Sequence, residues 1–413
     1  MKRSFNNGTT QKLCSSREFR SGVASCRAVG SKLTVVLLLA VAATGCQTRT
    51  TSNSATVTAP PNGIITVKGN QLLRDGELWI PHGVQMIAFV ASPDAWTNYD
   101  LDKPWFQNAY NHFNNAELDD AQAWGADTVR MMLSQPAADP QSPQYNANFV
   151  SQYVVGVQYA RSIGLNVIVC VQDETQSGQL NGTNPVPGAA TNRVWSEIVP
   201  MLKGDNGIIF EMYNEPSLNP PEGTDVNTPA QWQQYDAAMN ATIQVIRNAG
   251  ATNALLADGL WEGRTLQGLL PVTDPQNNVF YAVHPYFYTA NDQNGTNWPA
   301  YFGDIASQYP VIAGEWSTLT GNVCNSDTSA AAVNFLQYIR SLNIGLVAVG
   351  YDYVKTGPDA NFGGIVNDYD AYMPDGAGVT TYLNSQTCAT ANFGPGRIVQ
   401  SWYLNNAVPT SPM

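Results

Sequence analysis

The sequence predicts an α/β chain folded as a (β/α)8 TIM barrel with a small N-terminal β cap. Three observations carry that expectation. Short apolar runs with strand character alternate with stretches of helical periodicity from residue 63 onward, and such alternation implies a parallel sheet. Eight runs fall between residues 82 and 350, a span that one barrel fills. Neither G-x-G-x-x-G nor a Walker A motif follows the first of them, although an open doubly wound sheet would usually place a phosphate loop there.

Taken in order, residues 1–45 read as a signal peptide. Lys2, Arg3, Lys12, Arg17, Arg20, Arg27 and Lys32 form a basic region. The apolar run 33–43 that follows is too short to span a bilayer, which takes about 20 residues. Ala43-Thr44-Gly45-Cys46 resembles a bacterial lipobox in which Cys46 would carry the lipid; simple secretion after a nearby cut is the alternative. Residues 46–62, rich in Thr, Ser, Ala, Pro and Asn and without periodicity, read as a flexible tether. The barrel domain is expected over 63–413. Its cap is expected from the runs 64–67, 71–73 and 78–80. The eight barrel strands are expected at 82–88, 128–133, 166–171, 207–212, 253–257, 279–284, 311–314 and 344–350. Helical periodicity marks 148–163 and 330–342. Gly164, Gly250 and Asn343 stand where helices should end, and a closing helix is expected near 397–405.

Composition narrows the class of partner. Of 413 residues 44% are hydrophobic, ample for a large core, while only 13% are charged. The 10 Trp and 19 Tyr stand among many Asn, Gln, Ser and Thr. Such a surface suits neutral sugars, whose rings stack on aromatic faces, although most of the rings are expected in the core. The chain holds 20 basic and 32 acidic residues; without residues 1–45, which hold seven and one, 13 and 31 remain, a net charge of −18. That acidity argues against nucleic acid as a partner. Membrane contact is expected only through a lipid on Cys46, at the bacterial cell envelope, or not at all if the chain is extracellular. A monomer is expected. With three His and no Cys/His cluster at ligand spacing, no metal or other cofactor is expected. Cys170, inside an apolar run, reads as a buried thiol. Cys324 and Cys388, both in Asn/Ser/Thr-rich loops of an exported chain, are expected to form a disulfide.

The chemistry lies at the ends of the strand runs, where a barrel of this kind builds its site. The run 207–212 leads into Asn214-Glu215-Pro216, and 311–314 leads into Glu315-Trp316. Two carboxylates at one end of a parallel sheet are the minimal equipment for breaking a glycosidic bond. Arg130, Gln172-Asp173, Asp258, Trp261-Glu262, His284, Tyr286 and Tyr351-Asp352-Tyr353 stand at the other strand ends. Glu211, four residues before Glu215 on the same run, reads as structural and deeper in the barrel.

Arg130, Asn214-Glu215-Pro216, His284-Pro285-Tyr286 and Gly314-Glu315-Trp316, in this order, resemble glycoside hydrolase family 5, a cellulase-like family within the clan of (β/α)8 retaining glycosidases. The resemblance covers roughly residues 64–405. It implies Glu215 as general acid/base and Glu315 as nucleophile, with Arg130 and Tyr286 holding Glu315 ionised. It implies Asn214 on the sugar 2-hydroxyl and His284 beside the reacting sugar or orienting Glu215. Gln172, Trp261, Trp316 and Tyr351 are expected to line the substrate cleft, with Trp96 and Trp298 as further aromatic candidates. Two positions depart from the family: Gln172 replaces the usual histidine, and Tyr351 or Tyr353 replaces the usual tryptophan after the last strand.

The expected function is hydrolysis of a β-linked glycan with retention, endo-β-1,4-glucanase first and endo-β-mannanase second. The long loops at 89–115, 174–195 and 286–300 would wall an extended cleft. A barrel that binds carbohydrate without catalysis is the alternative from another class. Two opposed acids argue against it.

Overall fold

The computed structural model describes residues 62–93, 104–172, 184–317, 328–352 and 396–410. The signal segment, most of the tether, Cys46, Trp96, Asp173, Cys324, Tyr353 and Cys388 lie outside them. All described residues belong to one unit, Val57–Met413.

Strands β1 (Ile65–Lys68), β2 (Gln71–Arg74) and β3 (Glu77–Leu78) form a small antiparallel sheet. Eight parallel strands follow: β4 (His82–Met86), β5 (Thr128–Ser134), β6 (Asn166–Gln172), β7 (Ile208–Glu211), β8 (Leu255–Asp258), β9 (Val279–Val283), β10 (Val311–Trp316) and β11 (Gly345–Ala348). They pair in sequence order, and β11 closes the ring on β4. The fold is a (β/α)8 TIM barrel with a small antiparallel sheet at its N-terminal side. Every barrel strand overlaps a run read from the sequence. Gly164, Gly250 and Asn343 each take a positive φ just past a helix, the left-handed turn that ends helices.

Alternation divides the barrel's side chains into two cores. Facing inward, Ile168, Ile209, Leu256, Phe280, Ala282, Ile312 and Val347 form an apolar plug, joined by Ile65, Leu72 and Trp79 of the N-terminal sheet. The small sheet therefore seals the mouth at which the strands begin. Facing outward, residues such as Val129, Met131, Val169 and Phe210 pack under the helices in one large cluster. Each fully buried aliphatic side chain contributes about 1.5–3 kcal/mol. The closing helix Gly396–Asn405 buries Trp402 and Tyr403 against the rim. Tyr403 donates its hydroxyl proton to the Gly83 carbonyl at 2.7 Å and stacks on His82.

At the opposite mouth, the chain leaves the ladder after Ala348 and is tied back by Asp352. Its Oδ2 accepts the backbone N–H groups of Ile87 and Ala88, both at 2.7 Å. Burial pushes this carboxyl up, the two donors pull it back in part, and it titrates at about 7. The folded value lies above the ordinary 3.8. The stability linked to this group is therefore fully present in acid and is lost as pH rises from that value toward neutrality. Asp352→Asn keeps an acceptor for both N–H groups and removes the buried charge. Thermal unfolding should show the variant above the parent at pH 8 and level with it at pH 4. A parent and variant that melt together at pH 8 would refute this account of Asp352.

Candidate active site

Two residues beyond four members of the inner apolar plug, the same strand face carries a polar group. Ile168 leads to Cys170, Ile209 to Glu211, Leu256 to Asp258 and Ala282 to His284. With Gln85 of β4 and Arg130 of β5, these residues make a polar layer above an apolar one. The period of two that sorts strand residues by face thus brings six groups distant in sequence to one level of the barrel.

Arg130 is the centre of that layer and is 0% exposed. Its Nε donates to Glu211 Oε2 at 2.6 Å, and Nη2 donates to the other Glu211 oxygen. Nη1 donates to Gln85 Oε1 at 2.6 Å and to Glu315 Oε1. Nη2 also donates to Asn214 Oδ1 at 2.6 Å and reaches Cys170 Sγ at 3.2 Å. Burial would pull the guanidinium down, but Cys170, Glu211 and Glu315 hold it well above its ordinary value. Glu211, read from sequence as structural, is the second carboxylate that neutralises this cation. Cys170 is a buried free thiol, as expected.

Glu315 reaches the layer through an irregularity. Strict alternation after Ile312 would turn Gly314 and Trp316 inward. The β10–β11 register shifts between Ala313 and Trp316, and a bulge of this kind re-aims the side chains beyond it. Glu315 turns in to Arg130, and Tyr286 donates its hydroxyl proton to Glu315 Oε2 at 3.0 Å. Burial alone would raise the Glu315 carboxyl. The charges of His284 and Arg130, with the hydrogen bonds from Arg130 and Tyr286, hold it below its ordinary value.

Glu215 follows β7 in the left-handed region, with φ of 51°, a conformation that costs a non-glycine residue of order 1–3 kcal/mol. Its backbone N–H donates to Asp258 Oδ2 at 3.0 Å, and Pro216 accepts the Glu262 N–H at 3.0 Å. His284 Nδ1 meets Glu215 Oε1 at 2.8 Å, and its Nε2 lies 3.4 Å from Asp258 Oδ2. Burial would lower the imidazole, but Glu315, Asp258 and Glu215 outweigh it and raise His284 to about 9. A Cβ on Gly263 would sit 2.7 Å from the His284 ring, and one on Gly314 3.2 Å from Nε2. Both glycines leave the space that the imidazole occupies.

The two acids come together. One oxygen of Glu215 and one of Glu315 lie within 4.8 Å of each other and of a His284 nitrogen. Their side chains keep 13% and 8% exposure, while Arg130 and His284 keep none. The mouth therefore opens onto the carboxylates and closes over the groups that hold them. Glu211, Asp258 and His284 also have ligating atoms within 4.8 Å of one another. In both triads carboxylate oxygens engage Arg130, Tyr286, His284 or the Glu215 N–H.

Trp261 is half-buried beyond the end of β8. It lies in a turn with three consecutive positive φ values, 59° at Trp261, 57° at Glu262 and 73° at Gly263. The Arg264 guanidinium stands 4.1 Å from its ring centroid and pairs with Asp292 at 2.8 Å. The cation–π contact braces the ring from behind. Burial, then the charge of Glu215, push the Glu262 carboxyl up. Gln172 ends β6 and is buried, in register with Ser134.

Three aromatic expectations are corrected. Trp316 is 0% exposed and stacks on Phe335 with ring centroids 4.7 Å apart. The same bulge that turns Glu315 inward turns Trp316 to the helix layer. Trp298 is buried against Phe335 and Phe287. Tyr351 is buried edge-on against Trp124, and burial raises its hydroxyl, with Asp120 and Glu117 adding to the rise. Those acids belong to the helix Asn115–Ala123, so Tyr351 lies on the barrel's outer side. Gln85, Arg264 and Tyr288, whose ring centroid lies 5.2 Å from the Arg264 guanidinium, escaped sequence reasoning. For Gln85 the signal was a lone polar residue at an inward position of β4; for Arg264 and Tyr288 no sequence spacing points to Trp261. A small cavity lined by Asn70, Trp79, Pro310 and Ile312 lies beside the N-terminal sheet, at the sealed mouth.

Comparison with known proteins gives a consistent picture. The family model described as Cellulase (glycosyl hydrolase family 5) matches residues 88–353. Among solved structures, a β-glucanase from Saccharophagus degradans in complex with cellotetraose superposes with a TM-score of 0.58 at 16% identity, covering 86% of this chain and 99% of that one. The catalytic domain of a Thermobifida fusca endoglucanase gives 0.54 at 18%, covering 83% and 98%. A β-mannanase from Thermomonospora fusca gives 0.53 at 19%, covering 80% and 98%.

The Arg130 network predicts a specific instability. Arg130→Met leaves Glu211 and Glu315 without their buried cation, and breaking such a pair costs about 3–5 kcal/mol. Urea unfolding at pH 7 should show that loss. Adding Glu211→Gln should recover part of it, because one of the two stranded charges is gone. An Arg130→Met midpoint equal to the parent's would show that the network does not constrain the fold.

Proposed function

We propose that this chain, which belongs to glycosyl hydrolase family 5, is a retaining β-glycanase that works by double displacement. As a member of that family it is a glycoside hydrolase. The observation that carries the finer reading is the approach of Glu215 and Glu315 oxygens to within 4.8 Å. Retaining enzymes place their carboxyl groups about 5–5.5 Å apart, whereas inverting ones leave about 6.5–9.5 Å for a water.

In the first step the Glu315 carboxylate attacks the anomeric carbon. The pair of electrons in the breaking bond passes to the leaving oxygen, which takes the proton of Glu215. In the second step a water gives its proton to Glu215, attacks the same carbon and returns the ester's bonding pair to Glu315. Arg130 and Tyr286 hold Glu315 ionised for attack. Asn214 Oδ1 is taken by Arg130, so its amide N–H groups remain to donate to the sugar 2-hydroxyl, a contact that strengthens in the transition state. Trp261 follows the strand next to Glu215's, which suits a platform for sugars on the leaving-group side.

The preferred substrate is a β-1,4-glucan, with mannan second. The cellotetraose bound in the Saccharophagus relative supports the first and the mannanase relative the second. The basic and apolar leader, Cys46 and the tether support export and lipid anchoring at a bacterial envelope.

Glu315→Ala should lower turnover by about 10⁴-fold or more while oligosaccharide binding stays measurable. Glu215→Gln should spare aryl β-glycosides with good leaving groups far more than natural glycans, because only the latter need the acid. The first product resolved by proton NMR should be the β anomer. A parent protein inert on a panel of β-glycans, or one that releases the α anomer first, would sink the reading. Trp261→Ala should raise KM on polysaccharide by about tenfold, in line with a lost stacking contact of roughly 1 kcal/mol or more, and leave KM on a short aryl glycoside nearly unchanged.

A further inference from the structure

Asp258 has no part in the chemistry described so far, yet it is 0% exposed at the level of the reacting acids. One carboxylate oxygen, Oδ2, serves both neighbours of the reaction centre. It accepts the Glu215 backbone N–H at 3.0 Å and lies 3.4 Å from His284 Nε2, within ion-pair range although Nε2 has no hydrogen-bond partner. The other, Oδ1, is buried without a hydrogen-bond partner. The far side of the imidazole meets the Glu215 carboxyl at 2.8 Å. Asp258, His284 and Glu215 thus form a chain of carboxyl, imidazole and carboxyl.

We propose that Asp258 is a positioning residue that acts through His284: it keeps the imidazole doubly protonated, so that Nδ1–H is donated to Glu215. This rests on Glu215 being the acid/base. When Glu215 gives up its proton, its new carboxylate finds a charged donor already in place. The groups facing His284 are Glu215 beyond β7, Asp258 of β8 and Glu315 of β10, with Glu211 of β7 and Arg130 of β5 one contact further. Glu315 raises the imidazole most and Asp258 next; Glu315 and Glu215 stand at Nδ1, whereas Asp258 stands at Nε2, where it favours a second ring proton. Burial and Glu211 push Asp258 up while His284 pulls it down. The net effect holds Asp258 well above its ordinary value, so the carboxyl and the imidazole titrate as one coupled unit.

The test is Asp258→Asn, which retains an acceptor for the Glu215 N–H. Ring-nitrogen NMR of histidine is tractable because the only other histidines are His82 and His112. In the parent, His284 should titrate at about 9. In the variant the midpoint should fall by about one pH unit or more, a tenfold loss of proton affinity. On a β-glycan, kcat should fall by about 10²-fold with KM little changed. An unchanged His284 midpoint overturns the proposal. Should Asp258→Asn not fold, Glu215→Gln combined with Glu315→Gln decides it: with both carboxylates at Nδ1 neutral, Asp258 at Nε2 must keep His284 above neutrality, and a return to the ordinary 6.5 overturns the proposal. The NMR measurement needs no substrate. A midpoint that moves as expected in a protein inert on every glycan would defeat the glycanase reading and leave the Asp258–His284 link standing.

Discussion

A guanidinium with no access to water sits inside this barrel, and the rest of the site follows from that fact. An isolated charge at such a place is prohibitive. Arg130 is admitted only because Glu211 and Glu315 meet it from two other strands and because Gln85 and Asn214 accept its remaining protons. Replacing a buried network of this kind with well-packed apolar residues often leaves a protein as stable or more so. Stability is therefore a poor explanation for keeping it. Position is a better one: four side chains are fixed relative to one cation, and one of them is the proposed nucleophile.

The layered interior explains why the site lies at one mouth. Inward-facing Ile209, Leu256 and Phe280 belong to the apolar plug that Ile65, Leu72 and Trp79 complete from the N-terminal sheet. One step further along the same faces stand Glu211 and Asp258. The buried charges therefore rest on a dry floor, where each hydrogen bond is electrostatically stronger than it would be in water. Only Glu215 and Glu315 reach upward far enough to keep a little exposure.

Much of this was legible in the sequence. Short apolar runs between helical stretches marked all eight strands, and the polar residues at their ends named Arg130, Glu215, His284 and Glu315. The failures have local causes. Trp316 follows a bulge, where counting by twos assigns the wrong face. Tyr351 lies beyond Ala348, where the chain has left the ladder and alternation no longer applies. The left-handed turn at Trp261 depends on a glycine that clears the His284 ring, a contact between residues far apart in sequence. Asp258 was visible as a polar strand end, but its link to both Glu215 and His284 exists only once β8 lies between β7 and β9.

The two glutamates are the same residue type in the same kind of place, and their surroundings make them different. Glu315 is held by Arg130 and Tyr286. An arginine does not surrender its proton at any pH the protein meets, so Glu315 is fixed as a carboxylate and suited to attack. Glu215 is met by His284, a group that can carry its charge or lose it. An acid that must give up a proton and then take one back needs a donor for its carboxylate form that does not also clamp it as the Arg130 fork clamps Glu315, and the single contact from His284 Nδ1 is of that kind. The division of labour between nucleophile and acid thus rests on which base each strand end presents: arginine to one glutamate, histidine to the other.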